Sequence, residues 1–111
     1  MKKKELTAFP EFYLGGAVEI TEVRIALVDE SKLRAFVTIT IDDCFVVRGI
    51  KVVQGPGGIF VSMPSRRTNR GTFQDIAHPI REELRLKMEK IILDAFQTEL
   101  RNRGTSLTAT D

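Results

Sequence analysis

Apolar and polar residues alternate along two neighbouring stretches in the first half of the chain. In residues 18–28, Val23, Ile25 and Leu27 fall on one face, and mostly charged residues fall on the other. Residues 33–41 alternate more regularly and are rich in β-branched side chains. A period of two is typical of a half-buried β-strand. The short polar segment between the two stretches therefore predicts an antiparallel hairpin.

Two further strands are predicted downstream, over residues 45–53 and 59–63. The apolar pattern of the first of these slips at Arg48 and Gly49, and a glycine inside a strand often marks a β-bulge. The Gly- and Pro-rich run at 54–58 is a strong turn signal between the two strands. Four strands joined by short turns form an antiparallel meander.

A different period begins after Pro79, where apolar residues recur every three or four positions. They are Ile80, Leu84, Met88, Ile91, Ile92, Ala95, Phe96 and Leu100. This stripe is typical of an amphipathic helix, and proline is favoured at the first helical position. Gly104 suits a C-terminal cap, so we predict a helix of about 24 residues, roughly 36 Å long. The fold class is therefore α+β, with a four- to five-stranded antiparallel sheet followed by a long C-terminal helix.

The predicted helix is longer than is needed to cover one face of a four-stranded sheet. The surplus apolar residues on its stripe include Leu93, Phe96 and Leu100. We therefore expect this part of the helix to contact a second copy of the chain.

The remaining segments are assigned by composition. Residues 1–17 carry a lysine run and scattered aromatics and end at a glycine pair, which predicts a flexible arm. Residues 65–71 are predicted to form a polar loop, and residues 72–76 a short fifth strand. A polar, disordered tail is predicted over 105–111, which leaves one folded domain over 18–104.

Length and composition fit one globular domain. The chain has 111 residues, 42% of them hydrophobic and 29% charged, which is not the composition of a disordered chain. No apolar run approaches the roughly 20 residues that span a bilayer. One cysteine excludes an internal disulfide framework. We expect a cytoplasmic protein with no membrane span.

No residue constellation suggests catalysis or metal binding. The only histidine, His78, precedes a proline at the predicted helix start, and Cys44 is expected to be a small apolar residue of the sheet. Asp42 and Asp43 are adjacent, which is typical of a turn rather than of a catalytic pair. The run at 54–58 lacks the Lys-Ser/Thr of a phosphate-binding loop. We expect no enzyme activity, no metal and no cofactor.

Positive charge is concentrated in one segment. Residues 44–74 hold five basic and no acidic residues, although the whole chain carries only +2. Three arginines in five residues suit phosphate, because guanidinium groups bind its oxygens in pairs. The candidate nucleic-acid-binding residues are Arg48, Lys51, Ser65, Arg66, Arg67, Thr68 and Arg70. Phe60 and Phe73 could add stacking faces, although such residues are more often core. Alternatively, the loop arginines pair with Glu82 and Glu83 of the helix.

Four sequence blocks carry a family resemblance. They are ITEVRI (20–25), LRAFVTITIDDCFVVRGIKVV (33–53), GGIFVSMPSRRT (57–68) and FQDIAHPI (73–80). With these blocks the chain resembles the SpoVG-like (stage V sporulation protein G) family of bacterial septation proteins. The resemblance implies a dimeric protein with an antiparallel sheet and a C-terminal helix. It also implies a regulatory role in septation, sporulation or gene expression, with binding to DNA or RNA.

The resemblance also points to particular residues. It implies that Arg66 and Arg67 contact nucleic acid, and that basic residues of the helix, such as Arg81, Arg85 and Lys87, set sequence preference. We therefore expect a homodimeric regulator that binds DNA or RNA through its arginine-rich loop. The alternative is a protein-interaction module in septum assembly whose arginine loop docks an acidic partner.

Overall fold

The structure, a computed structural model, describes residues 18–110, with side chains as far as Arg103. Its strands are β1 (Ile20–Leu27), β2 (Leu33–Ile41), β3 (Phe45–Gly55), β4 (Gly58–Ser62), β5 (Ser65–Arg67) and β6 (Phe73–Asp75), and its helix is α1 (Glu82–Thr110). The predicted arm, 1–17, lies outside the described residues.

The first four strands form one antiparallel sheet in the order β1-β2-β3-β4. This order confirms the predicted meander. Opposite Thr38 of β2, strand β3 carries two residues, Arg48 and Gly49. Gly49 has a φ of +83°, a conformation that glycine adopts without steric cost. The predicted bulge is therefore confirmed, and it changes which residues of β3 face the core.

The core lies between one face of this sheet and α1. Its buried residues from the strands and the adjoining chain are Ala35, Val37, Ile39, Ile50, Val52, Val61 and Met63. The helix contributes Met88, Ile92 and Phe96, spaced four residues apart. Because residues four apart share one helix face, this burial confirms the predicted apolar stripe. The α+β fold class is confirmed with it.

Both predicted ends of the helix are wrong. The helix begins at Glu82, and Ile80 lies before it with 90% of its surface exposed. At the other end the helix passes through Gly104 and most of the predicted tail, as far as Thr110. One glycine costs a helix only about 1 kcal/mol, and no proline follows to stop it.

The structure excludes Phe96 from the predicted contact with a second copy, and the dimer itself stays a prediction. Phe96 is fully buried in the core of its own chain, and Leu93 and Leu100 pack against that core. The helix crosses the sheet over more of its length than we expected, so these side chains are used within the chain. A dimer contact has to be sought among other exposed apolar residues.

The turn between β2 and β3 also differs in part from expectation. Asp42 and Asp43 have φ values of 51° and 57°, and the Cys44 backbone N–H donates to the Ile41 carbonyl over 2.9 Å. Positive φ at both central residues is typical of a tight hairpin turn, as the sequence predicts. Cys44, however, is exposed in this turn. Its prediction as a small apolar residue of the sheet is wrong.

Residues 65–75 form a second, separate antiparallel sheet. Strand β5 pairs with β6, and neither belongs to the four-stranded sheet. The predicted fifth strand therefore exists, but the predicted loop at 65–71 is wrong over Ser65–Arg67. Within the described part of the chain, no helix is both long enough and apolar enough to cross a membrane.

Candidate nucleic-acid interface

The hairpin of β5 and β6 is held to the main sheet at its base. Pro64 is buried, and its carbonyl accepts a hydrogen bond of 2.7 Å from the Ile76 backbone N–H. A side chain built on Gly49 would lie 3.4 Å from the Pro64 ring. The bulge of β3 therefore lies against the start of the hairpin. This contact brings Arg48, next to Gly49, close to the hairpin base.

The tip of the hairpin is closed by hydrogen bonds between two threonines. The Thr68 N–H donates to the Thr72 carbonyl over 2.7 Å, and the Gly71 N–H donates to the Thr68 carbonyl over 3.0 Å. The two threonine hydroxyls are 2.8 Å apart. The Thr68 hydroxyl thus stabilises the turn, whereas Arg70 is exposed at the tip.

The other two arginines lie on opposite faces of this two-stranded ribbon. Arg66 pairs with Gln74 and Arg67 with Phe73 across the hairpin. Side chains of successive strand residues alternate between faces, so these neighbours point in opposite directions. The Arg67 guanidinium lies 5.8 Å from the centre of the Phe73 ring, within the range of a cation–π contact.

The hairpin arginines form no ion pair with the acidic side chains that the structure describes. Arg66 and Arg67 are both exposed. Among residues 18–103, whose side chains are described, neither they nor Arg70 forms an ion pair. The alternative in which they pair with Glu82 and Glu83 is therefore not what the structure shows. The ribbon presents three exposed guanidinium groups at its sides and tip.

The remaining candidates do not all join this surface. Ser65 is half-buried at the start of the hairpin. Lys51 lies on β3 between two core residues and opposite Ser62, so its side chain belongs to the sheet face away from α1. The predicted patch therefore divides into a basic hairpin and two positions of the sheet face away from α1, Arg48 beside the hairpin base and Lys51 further along β3.

Of the three candidate basic residues near the start of the helix, Arg81 is exposed, whereas Arg85 and Lys87 are less exposed than the hairpin arginines. The Lys87 Nζ donates to the Val18 carbonyl over 3.0 Å and lies 3.6 Å from a Glu19 carboxylate oxygen. Lys87 thus ties α1 to the chain before β1. Arg85 is half-buried, and Arg81 precedes the helix.

The exposure of the aromatic residues is what sequence reasoning judged wrongly. Phe73 is 70% exposed and Phe60 is 48% exposed, whereas the sequence favours a position in the core for both. Their positions opposite Arg67 and Val53, respectively, depend on the register of two hairpins. The signal available in the sequence was their alternation with core residues, which is clear for Phe60 between Ile59 and Val61.

Fold and site together define a class: a small α+β protein with a four-stranded meander, one long helix and a basic two-stranded ribbon. Residues 18–98 match the SpoVG family. Relatives named "Putative septation protein SpoVG" include one from Anaeromyxobacter sp. strain Fw109-5, which is 56% identical over 76% of this chain and 87% of its own length. One from Bdellovibrio bacteriovorus is 46% identical over 83% of this chain and 85% of its own length. One from Agathobacter rectalis is 48% identical over 77% of this chain and 99% of its own length.

The chain therefore belongs to the SpoVG family, as the resemblance predicts. The names of these relatives connect them with septation. That this chain is not an enzyme and uses no metal or cofactor stays a prediction.

Proposed function

We propose that this protein is a regulator that binds DNA or RNA, with the β5–β6 hairpin as its phosphate-binding element. The observation that carries the proposal is the set of three exposed arginines on an anchored ribbon, none of them in an ion pair with a side chain of residues 18–103. Fixed guanidinium groups bind phosphate oxygens well because they present paired donors in one plane. Phosphate contacts supply most of the non-specific affinity of nucleic-acid-binding proteins.

The geometry of the ribbon suits an extended polyanion. Because Arg66 and Arg67 lie on opposite faces, the ribbon can contact phosphates on both of its sides. Stacking on Phe73 restricts the Arg67 side chain, which lowers the entropy lost when it binds. Arg48 extends the positive charge to the base of the hairpin. Contacts of this kind position a protein on nucleic acid but carry little sequence information.

The protein acts as a homodimer in this proposal. Ile76 and Ile80 are 65% and 90% exposed and lie close together between the hairpin and α1. A run of exposed large apolar residues marks a contact surface. A second copy that covers this segment would bring two basic hairpins into one assembly, with a combined charge of about +10 from two copies of the segment 44–74.

The proposal is tested by titrating labelled DNA and RNA of unrelated sequences with the purified protein at two salt concentrations. The double variant Arg66→Ala/Arg67→Ala should lose affinity for every nucleic acid that the wild type binds. The matched control, Arg101→Ala/Arg103→Ala, removes the same charge from exposed helix positions and should bind nearly as wild type. If the wild-type protein binds none of these nucleic acids, the proposal is overturned.

The second candidate function is docking of an acidic protein partner in septum assembly. It is favoured by the septation names of the relatives. In that case the same double variant loses a protein partner, while the wild type shows no salt-sensitive binding to nucleic acid. The two candidates therefore give opposite results in the nucleic-acid titration.

A further inference from the structure

The four-stranded sheet has a second face, opposite α1. On β2 and β4, Phe36 and Phe60 alternate with buried core residues and are 43% and 48% exposed. In the described part of the chain, the only helix packs on the other face. We call this uncovered surface the open face. Two partly exposed phenylalanines on such a face need an explanation beyond core packing.

The pairing register places a lysine between the two rings. Lys51 lies directly opposite Phe36 on the neighbouring strand. On its other side it pairs with Ser62, so Phe60 is its diagonal neighbour. Directly opposite side chains have Cβ atoms about 5 Å apart, and diagonal neighbours are about 7–8 Å apart. The open face therefore carries the order ring, ammonium group, ring across three strands.

The Phe60 ring is held against the strand beside it. A side chain built on Gly55 would lie 2.9 Å from Cε1 of Phe60, so the ring occupies the space that a side chain would fill. Gly55 thus lets the ring approach the backbone of β3 closely. This contact restricts the ring, while about half of the residue stays open.

The charge of the open face favours an anionic occupant. Lys51 and Arg48 both belong to it, since Arg48 lies in the bulge opposite Thr38. Among residues 18–103, neither forms an ion pair. The one carboxylate on this face, that of Glu22, accepts a hydrogen bond of 2.9 Å from Arg24. A second copy laid on this face would bring like charges together, whereas a phosphate backbone would neutralise them.

We propose that the open face is a stacking surface for single-stranded nucleic acid. Bases stack on Phe36 and Phe60, and Lys51 and Arg48 contact the backbone between and beside them. The inference rests on the proposed function and names its substrate class. Exposed aromatic rings on a four-stranded sheet can stack two or three unpaired bases, and such stacking works with any base because every base has a flat face. Paired bases of a duplex are not available for it.

The test separates stacking from phosphate binding. Affinity is measured for oligothymidylate and for an abasic oligonucleotide of the same length, which has the same phosphates and no bases. The wild type should prefer oligothymidylate. The variant Phe36→Leu/Phe60→Leu, which stays apolar but loses both rings, should bind it about tenfold or more weakly and lose the preference. The control Phe36→Tyr/Phe60→Tyr retains the rings and should retain the preference.

Three results would overturn this inference. One is equal affinity of the wild type for the two oligonucleotides. Another is an unchanged preference in the leucine variant. The third is that the leucine variant sediments with half the mass of the wild-type protein. That result would show that the open face is a contact between two copies. Binding of duplex DNA in the same assay shows whether the proposed function survives such a result.

Discussion

Single residues decide where the candidate site lies. Gly49 has a φ of +83° and lies in the bulge beside Pro64, so one glycine gives β3 the backbone turn that the start of the hairpin packs against. The sequence predicts this bulge, because the apolar pattern slips there. It does not predict that Arg66 and Arg67 point apart, because β5 has only three residues and no apolar pattern to show its period.

Gly49→Ala should destabilise the protein by about 1–2 kcal/mol, because a side chain is strained at a φ of +83°. The matched control is Gly57→Ala, where a new side chain meets nothing within 4 Å. Urea unfolding of both variants measures the difference. Equal stability of the two would contradict the role given to Gly49.

At the scale of elements, the periods of the apolar residues predict that the strands and the helix exist, but they do not predict where these elements end. The strand predictions agree with the structure to within a few residues, since alternate apolar residues of β2 and β4, such as Val37, Ile39 and Val61, lie in the core. The helix start was misplaced because Pro79 and Ile80 fit both a helix and an extended approach to one. The sequence predicts β6 but not its pairing with β5, because that pairing depends on backbone hydrogen bonds and on the closed turn at Thr68.

The docking of α1 depends on Phe96, the largest of the fully buried side chains. Phe96→Ala should cost about 3–5 kcal/mol, through lost burial and the cavity left behind. Leu86→Ala on the same helix, where the side chain is 55% exposed, should cost far less. Thermal unfolding followed by circular dichroism compares them, and similar losses would contradict the packing described.

At the scale of the whole molecule, the proposed dimer moves from the helix stripe to the segment before the helix. The sequence alone could not choose between these two dimer contacts. An apolar helix position looks the same in the sequence whether its side chain is buried by its own chain or by a second copy. Burial separates the two cases. Phe96 is fully buried, whereas Phe73, Ile76 and Ile80 are largely exposed.

Ile76→Ser/Ile80→Ser should shift the native mass from dimer to monomer, because it removes apolar area from the proposed contact while leaving the core intact. Phe45→Ser, at a similarly exposed apolar position at the start of β3, should leave the mass unchanged. Sedimentation equilibrium of the three proteins decides the matter. A wild-type monomer, or a double variant that remains dimeric, would contradict this contact.

The central claim is that the hairpin arginines bind phosphate, and the salt dependence of nucleic-acid affinity tests it most directly. For duplex DNA, log Kd should change linearly with log salt concentration, with a slope of about 0.9 per phosphate contact. Arg66→Ala/Arg67→Ala should lower that slope by about 2 for each protomer engaged, and Arg101→Ala/Arg103→Ala should leave it near the wild-type value. A slope that is the same in all three proteins would contradict the account.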